Sequence, residues 1–177
     1  MQASASNHPD PEPIAAQSLA ARVVDWLAML SALFGGLVLL SIAGMTCYSI
    51  AARAAGYEPV LGDFELVQVG LAVCIAAFLP WCQLHGGNII VDFFTARASE
   101  RTRKRLDALG GVLVAAVMAL IAWRTAVGAF SALRSNEETM ILGFPIWLSY
   151  ALMTPGLALS ALVALFGAWQ SWRKVRQ

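Results

Sequence analysis

The sequence predicts an all-α integral membrane protein with four transmembrane helices and both termini on the cytoplasmic side. Apolar residues make up 59% of the 177-residue chain and charged residues 13%, about half the charged share of an average soluble domain. The apolar residues gather into four runs, at about 26–50, 64–84, 107–133 and 144–172. Each reaches or exceeds the roughly 20 residues that cross the hydrocarbon core at 1.5 Å per residue. The basic residues then divide unequally between the two ends of the runs. Arg22, Arg97, Arg101, Arg103, Lys104, Arg105, Arg173, Lys174 and Arg176 fall on one side. Arg53 and Arg134 fall on the other, and Arg124 lies within a run, which accounts for all 12 Lys and Arg. An excess of Lys and Arg marks the cytoplasmic side. Trp26, Trp81, Trp169 and Trp172 then sit at the inner interface and Trp147 at the outer one, as aromatic belts require.

Residues 1–21, with Pro9, Pro11 and Pro13 among small and polar residues, have the composition of a disordered cytoplasmic tail and lack the basic start of a targeting peptide. Residues 22–177 form the membrane domain. The first run is longer than the roughly 7 to 15 residues of a signal-peptide core, so it reads as an uncleaved first helix. A short polar hairpin with Arg53, Glu58 and Pro59 leads to Gly62-Asp63-Phe64-Glu65, which opens the second helix; Pro80 is expected to kink its last turn. That helix ends at Trp81-Cys82-Gln83-Leu84-His85-Gly86-Gly87-Asn88, where the glycines release it. Ile89, Ile90, Phe93 and Phe94 then share one face, which predicts an amphipathic helix lying in the membrane interface between spans two and three. Ser99 suits the N-cap of the next helix, whose basic first turns meet lipid headgroups. Ser135 to Gly143 forms a second outer loop with Glu137 and Glu138. Pro145 suits the first turn of the fourth helix, and Pro155-Gly156 predicts a bend within it.

Few residues offer chemistry. Cys47, Cys74 and Cys82 lie in apolar runs without a Cys-x-x-Cys spacing, so neither a disulfide framework nor a zinc site is expected. The two histidines, His8 and His85, are both outside mid-membrane, which excludes a haem held between two histidines of this chain. Glu65 is an acid in an apolar run and hence a functional candidate. It lies only about two residues past a polar turn, however, where a carboxylate also suits the positive helix end, and a structural role ranks ahead of ion coupling. Arg124 stands roughly nine residues inside its span, about 13 Å at helical rise, beyond comfortable snorkelling. It needs a partner, either Glu65 or a group on another subunit, and a register-fixing ion pair ranks above contact with a solute. Gly156, Ser160, Ala164 and Ala168 recur every four residues and form a stripe for close helix packing, within the chain or against a second protein. His85 reads as a helix-exit cap ahead of a pH sensor. No phosphate loop, activated nucleophile or inward carboxylate cluster is present, so the chain reads as non-enzymatic and without a cofactor, and nothing in it points to nucleic acid.

Taken in order, these features resemble the small membrane subunit (DctQ type) of tripartite ATP-independent periplasmic (TRAP) transporters, over about Trp26 to Trp172. The resemblance rests on Gly62-Asp63-Phe64-Glu65-Leu66, on Ile89-Ile90-Val91-Asp92 before a basic stretch, and on Gly143-Phe144-Pro145-Ile146-Trp147-Leu148-Ser149-Tyr150 leading to Pro155-Gly156. Asn88 stands where the family usually has histidine. The resemblance implies a scaffold in the bacterial inner membrane that braces a large, many-helix subunit and helps dock a soluble periplasmic substrate-binding protein. Sodium ions and the solute, a small anionic organic molecule, are then expected in the large subunit. The candidate structural or interface residues are Glu65, Asn88, Asp92, Arg124, Pro145, Trp147, Tyr150, Pro155, Gly156 and Ser160, with membrane lipids around them. Two other classes fit the size. A respiratory anchor is disfavoured by the histidine count, and a small proton-coupled exporter by the basic cytoplasmic segment and the shallow Glu65.

The charge split predicts the result of cysteine labelling in a background lacking Cys47, Cys74 and Cys82. Ser99→Cys and Lys174→Cys are expected to react only from the cytoplasm, and Tyr57→Cys and Glu137→Cys only from outside. Reaction of Tyr57→Cys from the inside alone contradicts the topology.

Overall fold

The computed structural model describes residues 19–86 and 100–175. These form four helices, α1 (Leu19–Ala54), α2 (Asp63–Gly86), α3 (Glu100–Ser135) and α4 (Ile146–Val175). Each contains a stretch long and apolar enough to cross a membrane: Ala21–Ala54, Asp63–His85, Leu109–Ser135 and Ile146–Trp169. The expected tail and the expected interfacial helix, with Asn88 and Asp92, lie outside the described residues. At 36 residues apiece, α1 and α3 are about 54 Å long and overrun a hydrocarbon core of about 30 Å.

Apolar side chains gain little by leaving lipid for one another, so helices in a membrane associate where small residues let backbones touch and polar groups meet. Among the described residues such contacts concentrate in three seams, which set the helices in a row: α1 on α2, α2 on α4, α4 on α3, with a lesser contact between α1 and α4. The two central helices have 28% of their apolar windows buried, against 11% in α1 and α3 at the edges.

In the middle seam the two backbones approach each other directly. A Cβ added to Gly156 of α4 would lie 2.4 Å from the main-chain oxygen of Ala76 in α2. Pro80, four residues on and fully buried, has no N–H to give that carbonyl, so the oxygen left open by the proline is the one the glycine approaches. Both α2 and α4 run on through their prolines, Pro80 and Pro155. Ala76, Ala122 and Leu157 form a buried cluster beside this contact, with Leu79, Met153 and Ala158 against it. In the α1–α2 seam, Ser31 Oγ donates to the Ala77 carbonyl at 2.7 Å, and Cys74 Sγ approaches the Gly35 carbonyl at 3.3 Å. Gly35 itself leaves only 3.0 Å between an added Cβ and that of Ala77. In the α3–α4 seam, Gly111 lies as close to Ala168.

The four-residue stripe therefore packs within the chain. Gly156, Ser160, Ala164 and Ala168 are all buried, and Ser160 Oγ returns its proton to the Gly156 carbonyl at 3.1 Å. One end of the stripe meets α2 and the other meets α3.

Gly156→Ala is expected to pry α2 from α4 at a cost of about 1–3 kcal/mol, the scale of overpacking a filled interior. Gly44→Ala, where an added Cβ meets nothing within 4 Å, serves as the control. Thermal unfolding of the two purified variants in detergent is expected to show a lowered midpoint for Gly156→Ala alone. Equal midpoints contradict the seam.

Candidate functional site

Gly62-Asp63-Phe64-Glu65 starts α2 and joins three parts of the chain at one end of the row. Gly62 has φ 69°, a left-handed conformation that glycine takes without strain, and its carbonyl accepts the N–H of Leu66 at 3.2 Å to begin the helix. A side chain at this position would collide with Leu142. The two carboxylates that follow fall in the first turn, where the positive end of the helix favours them.

The first carboxylate points towards α1. Asp63 Oδ2 accepts a hydrogen bond from Ser49 Oγ at 2.7 Å and lies 3.5 Å from Arg53 Nη2. Ser49 is wholly buried, so its hydroxyl needs this acceptor. Arg53 is two-thirds exposed, and an ion pair so open to solvent adds little.

The second points the other way. Glu65 Oε1 accepts the main-chain N–H of Ile141 at 2.9 Å, and Oε2 that of Leu142 at 3.1 Å. These donors stand at the tip of the α3–α4 loop, which is built to hold them. Thr139 N–H donates to the Phe144 carbonyl at 2.9 Å, and Phe144 N–H donates back to Thr139 Oγ1 at 3.0 Å. Ile146 N–H closes the base of the loop on the Glu137 carbonyl at 3.0 Å. Asn136 and Gly143 take the left-handed conformations at φ 48° and 65°, for which their residue types are suited. Around the clamp, Tyr57, Leu61, Phe64, Met140 and Ile141 are exposed.

At the far end of α2, His85 Nε2 lies 3.8 Å from Asp25 Oδ1 of α1, and its ring stacks on Trp81 with centroids 3.9 Å apart. Both side chains of the pair are about half exposed, so this second α1–α2 link is loose.

The remaining candidate residues are dispersed. Pro145 directly precedes α4, Trp147 is half-buried in its first turn, and the Tyr150 ring lies over Gly128 of α3. Pro155 is exposed, whereas Gly156 and Ser160 are buried, Gly156 in the α2–α4 seam. Arg124 is exposed on α3. No ion pair joins it to Glu65, whose carboxylate instead holds the loop main chain. The sequence reading missed Ser49 and the amides of Ile141 and Leu142. A lone serine in an apolar run and two main-chain donors carry no sequence signal. Arg53 and Asp63, opposite charges flanking a short hairpin, are the one part of the clamp that charge pattern alone signals.

Glu65→Ala is expected to free the Ile141 and Leu142 amides and raise their hydrogen-exchange rates several-fold, with Glu65→Gln intermediate because one acceptor oxygen remains. The Thr139 and Ile146 amides, whose acceptors lie within the loop, are expected to change less. Unaltered exchange at Ile141 and Leu142 in Glu65→Ala contradicts the clamp.

The family model for tripartite ATP-independent periplasmic transporters, DctQ component, matches residues 42–174. That match takes in the end of α1, the whole rim clamp, α2, α3 and nearly all of α4. Comparison with curated proteins and with solved structures gives no match. With three-quarters of its length under the family model, and with the four apolar helices that a membrane component needs, the chain belongs to the DctQ family, the small membrane component of TRAP transporters, a transporter family and not an enzyme family.

Proposed function

We propose that this chain is the scaffold of a TRAP transporter in the bacterial inner membrane, with both termini in the cytoplasm. It braces a large membrane subunit that carries a small, anionic organic solute inward with sodium ions. Its outer rim helps receive the periplasmic binding protein that delivers the solute.

The observation that carries this reading is the row itself. Four helices side by side enclose no passage among the described residues, because each seam is closed by glycine, alanine or serine and the remaining faces are open. Transporters bind substrate and ions near mid-membrane, between repeats with broken helices. Here the described helices run without interruption, and the carboxylates on them, Asp25, Asp63, Glu65, Glu100 and Asp107, sit toward the starts of their helices. The route for the solute therefore belongs to another subunit. The rim clamp supports the docking role: it fixes the α3–α4 loop and leaves Tyr57, Leu61, Phe64, Met140 and Ile141 exposed at the side assigned to the periplasm.

Uptake into proteoliposomes tests this reading. The small and large subunits together, with binding protein outside and an inward sodium gradient, are expected to accumulate solute, and each subunit alone is expected to fail. Accumulation by this chain alone, or by the large subunit without it at the full rate, contradicts the scaffold role.

A further inference from the structure

Arg124 presents the sharpest unsolved charge in the molecule. It lies ten residues before Arg134, which marks the end of the span, and hence about 15 Å down a core of about 30 Å. Its side chain is exposed, and among the described residues it has neither an ion pair nor a hydrogen bond. A guanidinium at that depth is costly in lipid and calls for a compensating acceptor.

Its surroundings on α3 define a face. The side that packs on α4 holds Gly111, Ala115, Met118, Ala122, Thr125 and Ala129, none of them exposed. Two residues beyond Ala122, Arg124 points to the opposite side. There Leu113, Val117, Leu120, Arg124, Val127 and Ser131 recur at alternating steps of four and three, every one exposed. Steps of three and four keep these residues on one face of the helix, with one basic residue near its middle. Since α3 stands at an edge of the row, no other described helix covers the face.

We propose that this stripe seats a transmembrane helix of the large subunit, and that the helix carries an Asp or Glu at half depth to receive Arg124. The proposal rests on the scaffold reading above. A second copy of this chain does not supply that acid: its 11 carboxylate residues are Asp10, Glu12, Asp25, Glu58, Asp63, Glu65, Asp92, Glu100, Asp107, Glu137 and Glu138, all at the ends of the spans or outside them. Lipid phosphates lie at the interface, about 15 Å away. A carboxylate fixed on a neighbouring helix meets the need at the right depth, and it sets the vertical register of the two subunits as it does so.

The test uses the full chain, affinity-tagged and co-expressed with its large subunit. The photo-crosslinker p-benzoylphenylalanine replaces Leu120 or Val127, one turn either side of Arg124, and adducts formed in native membranes are mapped by mass spectrometry. Adducts are expected on one transmembrane segment of the large subunit, within about a turn of an Asp or Glu. At equal amounts of tagged chain in the membrane, Arg124→Ala is expected to recover about tenfold less large subunit, the scale of an interhelical polar contact in lipid, and Arg124→Lys to recover more than Arg124→Ala. Because Arg124 has neither an ion pair nor a hydrogen bond among the described residues, the loss is not one of folding; an unchanged melting midpoint of the isolated variant checks this. Adducts only on lipid or on a second copy, or full recovery of large subunit by Arg124→Ala, overturn the proposal and leave the scaffold reading standing. Failure of the unsubstituted chain to retain a large subunit at all overturns both.

Discussion

The fold depends on backbone contact in a solvent that gives no reward for hiding leucine. Lipid tails are as apolar as any helix face, so what holds two helices together is the close approach that small residues permit and the polar groups that find partners. Gly156 against the Ala76 carbonyl is the closest such approach in the chain, and the helices join in the order that it and its two companion seams allow. Where α1 and α3 offer leucine, valine and phenylalanine, they stay exposed. The result is a row with two central helices and two edges.

α2 holds the row together. One flank lies on α1 and the other on α4, and at its first turn it sends one carboxylate each way, Asp63 to Ser49 and Arg53, Glu65 to the loop between α3 and α4. The N-terminus of a helix favours acids, and here that preference is used to fasten the helices together at one end of the row. This arrangement fixes the rim without filling the membrane surfaces that face outward.

The four helices were legible in the sequence because length and apolarity alone specify a membrane span, and the structure has four such helices at the expected places. The packing was half legible. Gly156, Ser160, Ala164 and Ala168 announce a face that admits another backbone, but spacing does not say whose, and the structure divides the face between α2 and α3. Pro80 reads as a helix defect, and nothing in the sequence shows that the carbonyl it leaves open is the one met by Gly156. The clamp was least legible. Glu65 stands out as an acid in an apolar run, but its partners are main-chain N–H groups 76 and 77 residues away, and every residue except proline has that group. Pairing Glu65 with Arg124 follows charge alone, and no ion pair joins the two; the carboxylate instead holds those amides.

The central claim, that the chain forms an open row with α1 and α3 at opposite edges, is tested most directly by a distance. Spin labels placed at Leu40→Cys on α1 and Leu120→Cys on α3, both exposed and both near the middle of their spans, report the separation by pulsed electron paramagnetic resonance in lipid nanodiscs. With neighbouring helix axes about 8–10 Å apart, a row predicts a separation beyond about 20 Å, with α2 and α4 between the labels. A separation near 10 Å, one interaxial spacing, would mean that α1 and α3 touch and that the helices close into a bundle, and it would contradict the account.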